Sequence, residues 1–168
     1  MNARKEGREV RMVMDRIPKR WAGLPVFVVA LVLVAVVGSL AAVNAGGEYL
    51  SLDRPPWAPP QWLFGPAWTV LYIMIALSGW LAWSARGLTP ALGVYAVQLI
   101  LNAAWTPLFF GAGQYGLAFA EIVVLWLAIV LNIVLFWRIS RPAAWLLVPY
   151  LLWVTYASSL NLAIWQLN

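Results

Sequence analysis

Long stretches without a charged side chain constrain the fold of this sequence more than any other feature. No Asp, Glu, Lys or Arg occurs between Arg54 and Arg86, and Glu121 is the only one between Arg86 and Arg138. Soluble domains carry charge on about a quarter of their residues, whereas this chain has 10% charged and 64% hydrophobic residues. Most of its surface is therefore expected to face lipid, and the sequence predicts an integral, multi-pass membrane protein.

Five membrane-spanning helices account for nearly all of the chain after its first 20 residues, because one span needs about 20 apolar residues. The predicted helices and the loop that caps them are, in chain order, 21–44, loop 45–64, 65–84, 89–110, 114–137 and 142–166. Pro66, Pro90 and Pro142 each fall in a first helical turn, where a missing N–H costs little. The expected fold is an all-α, five-transmembrane-helix bundle that forms one domain, 21–168.

The charges outside the spans predict an orientation. The basic segment 1–20, expected to be a disordered arm near anionic headgroups, falls on the same side as Arg86, Arg138 and Arg141. The loop at 45–64, with two acids and one base, falls on the other side. The positive-inside rule then places the N-terminus in the cytoplasm. This rule applies to an inner membrane, and a location in a bacterial outer membrane stays an alternative.

Cysteine and histidine are absent from the sequence. Thiolate nucleophiles, disulfides, Cys/His zinc sites and the usual proximal haem ligand are thereby excluded. We therefore expect no metal site and no required cofactor, and no feature indicates a nucleic-acid partner. Glu121 is the one acid within a predicted span, and its simplest interpretation is a protonated carboxyl that bonds a neighbouring helix.

Aromatic and amide side chains recur at helical spacing on three predicted helices, near the end of each that adjoins the loop. The three sets are Trp68 and Tyr72; Gln98, Asn102 and Trp105; and Trp153, Ala157 and Asn161. Each set lies on one helix face, and polar groups in membrane helices face the bundle interior. The spacing predicts a pocket under the loop, with tryptophan faces for a large planar ligand. The alternatives are amides that only bond helices together and tryptophans that only pack in the core.

The stretch PPWAPPQWLFGPAWTVLY at 55–72 resembles the TspO/MBR family of tryptophan-rich sensory proteins and translocator proteins. Two later stretches, 98–111 and 145–165, agree with the pattern of that family. The resemblance implies a five-helix bundle, usually a homodimer in membrane lipid. It also implies a ligand of the porphyrin or haem type, with sterol and drug binding among relatives.

The resemblance further implies which residues line the ligand site. Carried over position by position, they are Tyr49, Pro59, Trp68, Tyr72, Asn102, Trp105, Trp153 and Ala157. Trp68 and Trp153 match the tryptophans implicated in porphyrin breakdown by some relatives, so they are the catalytic candidates if porphyrin is degraded. The sterol pattern of animal members needs a basic residue after the last tryptophan, and Gln166 follows Trp165 here. This departure argues against a sterol partner.

Three functions follow from these observations. The first is a tetrapyrrole-binding protein that senses, sequesters or transports porphyrin or haem. The second is an enzyme-like protein that degrades porphyrin with light and oxygen, although no acid–base pair supports it independently. The third, a secondary transporter built from two matching halves, is disfavoured because five helices do not divide equally.

Overall fold

The computed structural model describes residues 21, 23–41 and 45–168, and the regular elements among them are all helical. The six α-helices are α1 Leu24–Ala41, α2 Ala45–Ser51, α3 Phe64–Arg86, α4 Pro90–Thr106, α5 Tyr115–Trp137 and α6 Arg141–Leu167. A 3-10 turn, Gln61–Leu63, leads into α3, and a π-helical turn, Pro107–Gly111, follows α4. The predicted basic arm, 1–20, lies outside the described residues.

Within the described part of the chain, four helical segments are long and apolar enough to cross a membrane. They are Gln61–Arg86, Pro90–Gly111, Tyr115–Trp137 and Arg141–Leu167. Helix α1 is shorter but also apolar, and its exposed side chains include Val26, Leu33 and Leu40. The all-α class and the multi-pass membrane character are therefore confirmed.

The predicted count of five helices is wrong, because the described residues form six. The additional helix, α2, lies in the segment that was predicted to be a loop. Gly46 and Gly47 are poor helix formers, but Glu48 stands in the first turn, where a negative charge stabilises a helix. The ring of Tyr49 is 3% exposed and meets the edge of Phe64 at 5.4 Å between centroids. Burial of this ring outweighs the weak local propensity.

Pro107 ends α4 and starts the π-helical turn. Its ring removes a backbone donor from the helical ladder, and the chain continues with a wider turn in which the Ala112 N–H donates to the Pro107 carbonyl at 2.9 Å. Gly113, with a φ of 60°, then turns the chain into α5. The turn places Phe109 in the core, 2% exposed, and Phe110 beside the cavity described below.

The bundle has a filled end and a hollow end. We call them the far end, which holds the α3–α4 and α5–α6 turns, and the loop end, which holds α2. In the filled part, polar side chains bond one helix to another: Ser78 Oγ donates to the Ala143 carbonyl at 2.7 Å, and Asn132 Nδ2 donates to the Ala91 carbonyl at 3.0 Å. Ile129 and Phe136 are fully buried there. The space for a ligand lies at the loop end.

Candidate ligand pocket under the loop

A cavity of about 440 Å³ lies at the loop end, and each of the six described helices contributes to its wall. Small-molecule sites in proteins typically measure about 300–1,000 Å³. The cavity is lined by the following residues that were predicted from the sequence: Tyr49, Trp68, Tyr72, Asn102, Trp105, Trp153 and Ala157. The faces of α3, α4 and α6 that were inferred from residue spacing therefore converge on one hollow.

Of the eight ligand-lining residues that the family resemblance implied, Pro59 is the one that does not line the cavity. It is buried, and its carbonyl accepts a hydrogen bond from Tyr49 Oη at 2.9 Å. Tyr49 does line the cavity. Pro59 therefore positions a lining residue and shapes the loop above the cavity.

Aromatic rings form one side of the cavity. The Trp68 ring lies 5.3 Å from that of Tyr72 and 6.4 Å from that of Trp153, in the second case nearly perpendicular to it. Phe64 meets Trp153 edge-on at 6.1 Å. Edge-to-face contacts are a favoured geometry between aromatic rings. They fix the orientation of the two tryptophans that border the hollow.

Asn102 connects three helices at the base of this aromatic wall. Tyr72 Oη donates to Asn102 Oδ1 at 3.1 Å, and Asn102 Nδ2 donates to Tyr150 Oη at 3.0 Å. Asn161 also bonds across helices, because it accepts from Trp105 Nε1 at 3.1 Å and donates to the Tyr115 carbonyl at 2.9 Å. The helix-bonding role considered for the amides is thus present in both residues, and Asn102 combines it with a place in the cavity wall.

Gln98 and Glu121 are among the polar residues of the spans whose buried side-chain atoms have no hydrogen-bond partner within the described part of the chain. Gln98 is fully buried, and neither its Nε2 nor its Oε1 is bonded. Both carboxyl oxygens of Glu121 are also unbonded. The bond from Glu121 to a neighbouring helix that the sequence suggested is therefore absent from these residues. Neither residue lines the cavity.

Several lining residues were missed by the sequence reasoning. Those from α3 to α6 are Phe64, Gly65, Thr69, Thr106, Phe110, Ile122, Leu125 and Val154, together with Gln61 in the 3-10 turn. Thr69 lies between Trp68 and Tyr72, and Val154 follows Trp153, so their positions next to the predicted faces were the available signal. Ala35, Gly38 and Ser39 of α1 also line the cavity. Helix α1 is apolar all round, and no polar stripe marks its inner face.

The segment after α2 joins two residues that line the cavity, Tyr49 and Gln61, and contacts with α6 hold it in place. Tyr156 Oη donates to the Trp57 carbonyl at 3.1 Å. The backbone N–H of Asp53 donates to Asn168 Oδ1 at 3.1 Å, and Asn168 Nδ2 donates back to the Asp53 carbonyl at 3.0 Å. The Arg54 guanidinium lies 4.7 Å from the centroid of the Tyr49 ring. We call this tethered segment, 52–60, the roof.

Comparison with known proteins gives the family. The model of the TspO/MBR family matches residues 26–166. The tryptophan-rich protein TspO of Chlorobaculum tepidum is 41% identical over 152 residues, covering 82% of this chain and 96% of the relative. Protein CrtK of Rhodobacter capsulatus is 38% identical over 150 residues, which cover 86% of this chain and 94% of the relative. The translocator protein of Homo sapiens is 36% identical over 154 residues, which cover 88% of this chain and 91% of the relative. The chain therefore belongs to the TspO/MBR family.

Proposed function

We propose that this protein binds a tetrapyrrole, porphyrin or haem, in the cavity under the roof, and that it senses, sequesters or transports that ligand. The observation that carries the proposal is the cavity of about 440 Å³ bordered by Trp68, Trp105 and Trp153. Flat indole surfaces bind a wide planar ring by stacking and burial. Relatives named tryptophan-rich sensory protein and translocator protein are in keeping with it.

The absence of histidine and cysteine from the sequence determines how such a ligand is recognised. A haem iron gets its strong axial bonds mainly from these side chains. Recognition then depends on the ring and not on the metal, so metal-free porphyrin should bind about as tightly as haem.

A fluorescence titration of the protein in lipid nanodiscs, with protoporphyrin and with haem, tests the proposal. We expect dissociation constants within about fivefold of each other. Trp153→Phe should weaken both about fivefold, because the smaller ring should lose about 1 kcal/mol of contact with the ligand. The matched control is Trp145→Phe, since Trp145 is 59% exposed and packs on Trp137 outside the cavity. Equal losses in both variants, or a hundredfold preference for haem, would contradict the proposal.

Degradation of porphyrin with light and oxygen is a second candidate function. Trp68 and Trp153 contact each other in the cavity wall, with 6.4 Å between their ring centroids. Both indoles border the place where the porphyrin ring would lie, and this favours degradation over a secondary transporter of two matching halves. Absorption spectra of bound porphyrin, followed in light and in darkness, test it. Loss of the porphyrin bands in light only, slowed in both Trp68→Phe and Trp153→Phe, would support degradation. Unchanged product formation in these variants would remove the two indoles from the reaction.

The membrane arrangement that we propose has five spans, a cytoplasmic N-terminus and a homodimer in the lipid. Helix α1 has 18 residues and extends about 27 Å at 1.5 Å per residue, close to the thickness of a hydrocarbon core. Orientation can be tested with single cysteines, because the chain has none. An impermeant maleimide should label Ser51→Cys in intact cells and Leu88→Cys only after lysis. The reverse pattern would overturn the orientation, and cross-linking in membranes tests the dimer.

A further inference from the structure

The wall of the cavity is not equally closed on all sides. Among its lining residues, Ser39 of α1, Gln61 of the 3-10 turn, and Gly65 and Thr69 of α3 are exposed. A Cβ added at Gly65 would meet no atom within 4 Å. The cavity therefore reaches the surface of the described structure between the end of α1 and the start of α3.

Helix α1 fits closely against α3 at the far end of the bundle. There the ring of Trp21 lies 4.8 Å from that of Trp80, and the Trp83 ring lies directly against Gly23. One turn further, the Phe27 ring lies against Gly79, where an added Cβ would come within 2.8 Å of it. No room for a ligand remains between the two helices at this level.

Toward the loop end, α1 lies against α4 instead. The nearest atom to a Cβ added at Gly38 is Oγ1 of Thr106, at 3.7 Å, and α1 also contacts the π-helical turn. The exposed lining residues on the α3 side of α1 indicate a slot between these two helices. We call this slot the side window; Ser39 borders it on α1, and Gly65 and Thr69 border it on α3.

The roof offers no comparable opening, because it is tied to α6 at two places. Tyr156 bonds the Trp57 carbonyl, and Asn168 bonds Asp53 through two hydrogen bonds. Tyr49 fills the space under it and is 3% exposed. Entry from the water above would break these bonds, whereas entry from the side breaks none of them.

We propose that the ligand enters and leaves sideways, from the bilayer, through the side window between α1 and α3. This inference rests on the proposed function, and it adds that the ligand comes from the lipid and not from the water. Thr69 is five residues into α3, about 8 Å along its axis, so the window lies near the boundary between headgroups and hydrocarbon. A flat apolar ring with a charged edge collects at this depth, with its edge toward the headgroups. Thr69 Oγ1 already donates to the Gly65 carbonyl at 2.9 Å, so its hydroxyl needs no partner from the passing ligand.

Two cross-links in the cysteine-free chain distinguish the two routes. Ser39→Cys with Thr69→Cys, joined by a short cleavable bismaleimide, closes the side window. Asp53→Cys with Asn168→Cys, joined in the same way, locks the roof and is the matched control. Protoporphyrin is supplied in lipid vesicles, and its binding is followed by quenching of tryptophan fluorescence. The closed window should slow association at least tenfold and change the final occupancy little, and cleavage should restore the rate.

The locked roof should leave the association rate within about twofold of that of the unlinked protein. The opposite pattern, with slow binding after the roof is locked and normal binding after the window is closed, would overturn the side window. Equal rates in both cross-linked proteins would overturn it as well.

A second measurement needs no tetrapyrrole. Ala157→Cys places one thiol in the cavity wall, and its labelling is compared for a lipid-soluble pyrene maleimide and for a charged, membrane-impermeant one. The lipid-soluble reagent should react at least tenfold faster, and Ser39→Trp should slow it. If porphyrin does not bind but this pattern holds, the proposed function fails and the side window stands. Faster labelling by the charged reagent, or no effect of Ser39→Trp, would overturn the side window whatever the ligand is.

Discussion

At the scale of single residues, Asn102 has the largest structural effect for its size. Its side chain bonds hydroxyl groups from α3 and α6, those of Tyr72 and Tyr150. Tyr150 is completely buried, so water cannot replace a lost partner. An unpaired polar group in a protein interior costs about 1–3 kcal/mol. The stability of the cavity base therefore depends on one amide.

Asn102→Ala should lower the free energy of unfolding by about 1–2 kcal/mol, because it leaves the Tyr150 hydroxyl without its partner. Tyr150→Phe should cost less, since it removes the hydroxyl itself. In the double variant, the second substitution should cost almost nothing. Unfolding in mixed detergent–SDS micelles gives these values. Strictly additive losses would show that the bond contributes nothing.

Trp68, Tyr72, Asn102, Trp105, Trp153 and Ala157 were predictable from the sequence, because the spacing of aromatic and amide side chains repeats the helical period. Tyr150 was not selected, because tyrosine in an apolar span has no signature that separates a bonded hydroxyl from an interfacial one. The inner face of α1 was also missed. Its cavity residues are small or weakly polar. Their place in the cavity wall follows from how α1 packs against α4, and no local sequence pattern encodes that packing.

At the scale of elements, two glycines fix how closely α1 and its neighbours approach α3. Gly79 lies in the middle of α3, and a Cβ there would come within 2.6 Å of the Tyr95 ring of α4 and 2.8 Å of the Phe27 ring of α1. Gly23, just before α1, lies against the Trp83 ring of α3. Tyr95 Oη also donates to the Ile75 carbonyl at 3.0 Å, which restricts how far that ring can move. The close contact between α1 and α3 at the far end therefore depends on the absence of side chains at Gly79 and Gly23. The position where the side window begins depends on the same two glycines.

Gly79→Ala should destabilise the protein by about 1–3 kcal/mol, because the added methyl group forces two packed rings apart. Gly93→Ala is the matched control: Gly93 lies inside α4 and has no neighbour within 4 Å of an added Cβ. Since alanine favours a helix by up to about 1 kcal/mol over glycine, the control should be neutral or stabilising. Thermal unfolding monitored by circular dichroism compares the two. A stable Gly79→Ala variant would contradict this account of the packing.

Local signals account for the long helices and fail for the short elements. Apolar runs bounded by charge and proline predicted α3, α5 and α6 close to their observed positions. Helix α2 was not predicted, because its seven residues are too few for a period and its stability comes from burial of Tyr49. The π-helical turn was likewise missed, since Pro107 signals an interruption without specifying its type.

At the scale of the whole molecule, the cavity is closed by contacts between distant parts of the chain. Trp57 and Tyr156 are 99 residues apart, and Asp53 and Asn168 are 115 residues apart. No periodicity within a single helix detects such pairs. The sequence therefore predicted a loop above the cavity but not the two points at which it is fastened.

Tyr156→Phe should loosen the roof without disturbing the bundle, because it removes a single hydrogen bond to the Trp57 carbonyl. A bond worth about 1 kcal/mol changes an opening equilibrium about fivefold, so amide exchange in the roof should accelerate by about that factor. Ser159→Ala is the control, since the Ser159 hydroxyl bonds only within α6, to the Thr155 carbonyl. Hydrogen–deuterium exchange by mass spectrometry reports both. Equal acceleration in the two variants would show that Tyr156 does not hold the roof.

The fastening of the roof by Tyr156 and Asn168 also sets an order of events during biosynthesis. Segment 52–60 leaves the ribosome about a hundred residues before its partners do. While the first helices enter the membrane, the tryptophan-lined hollow has neither its α6 wall nor a fastened cover. The cavity therefore takes its final shape only when translation is nearly complete and the last residues of α6 have joined the bundle.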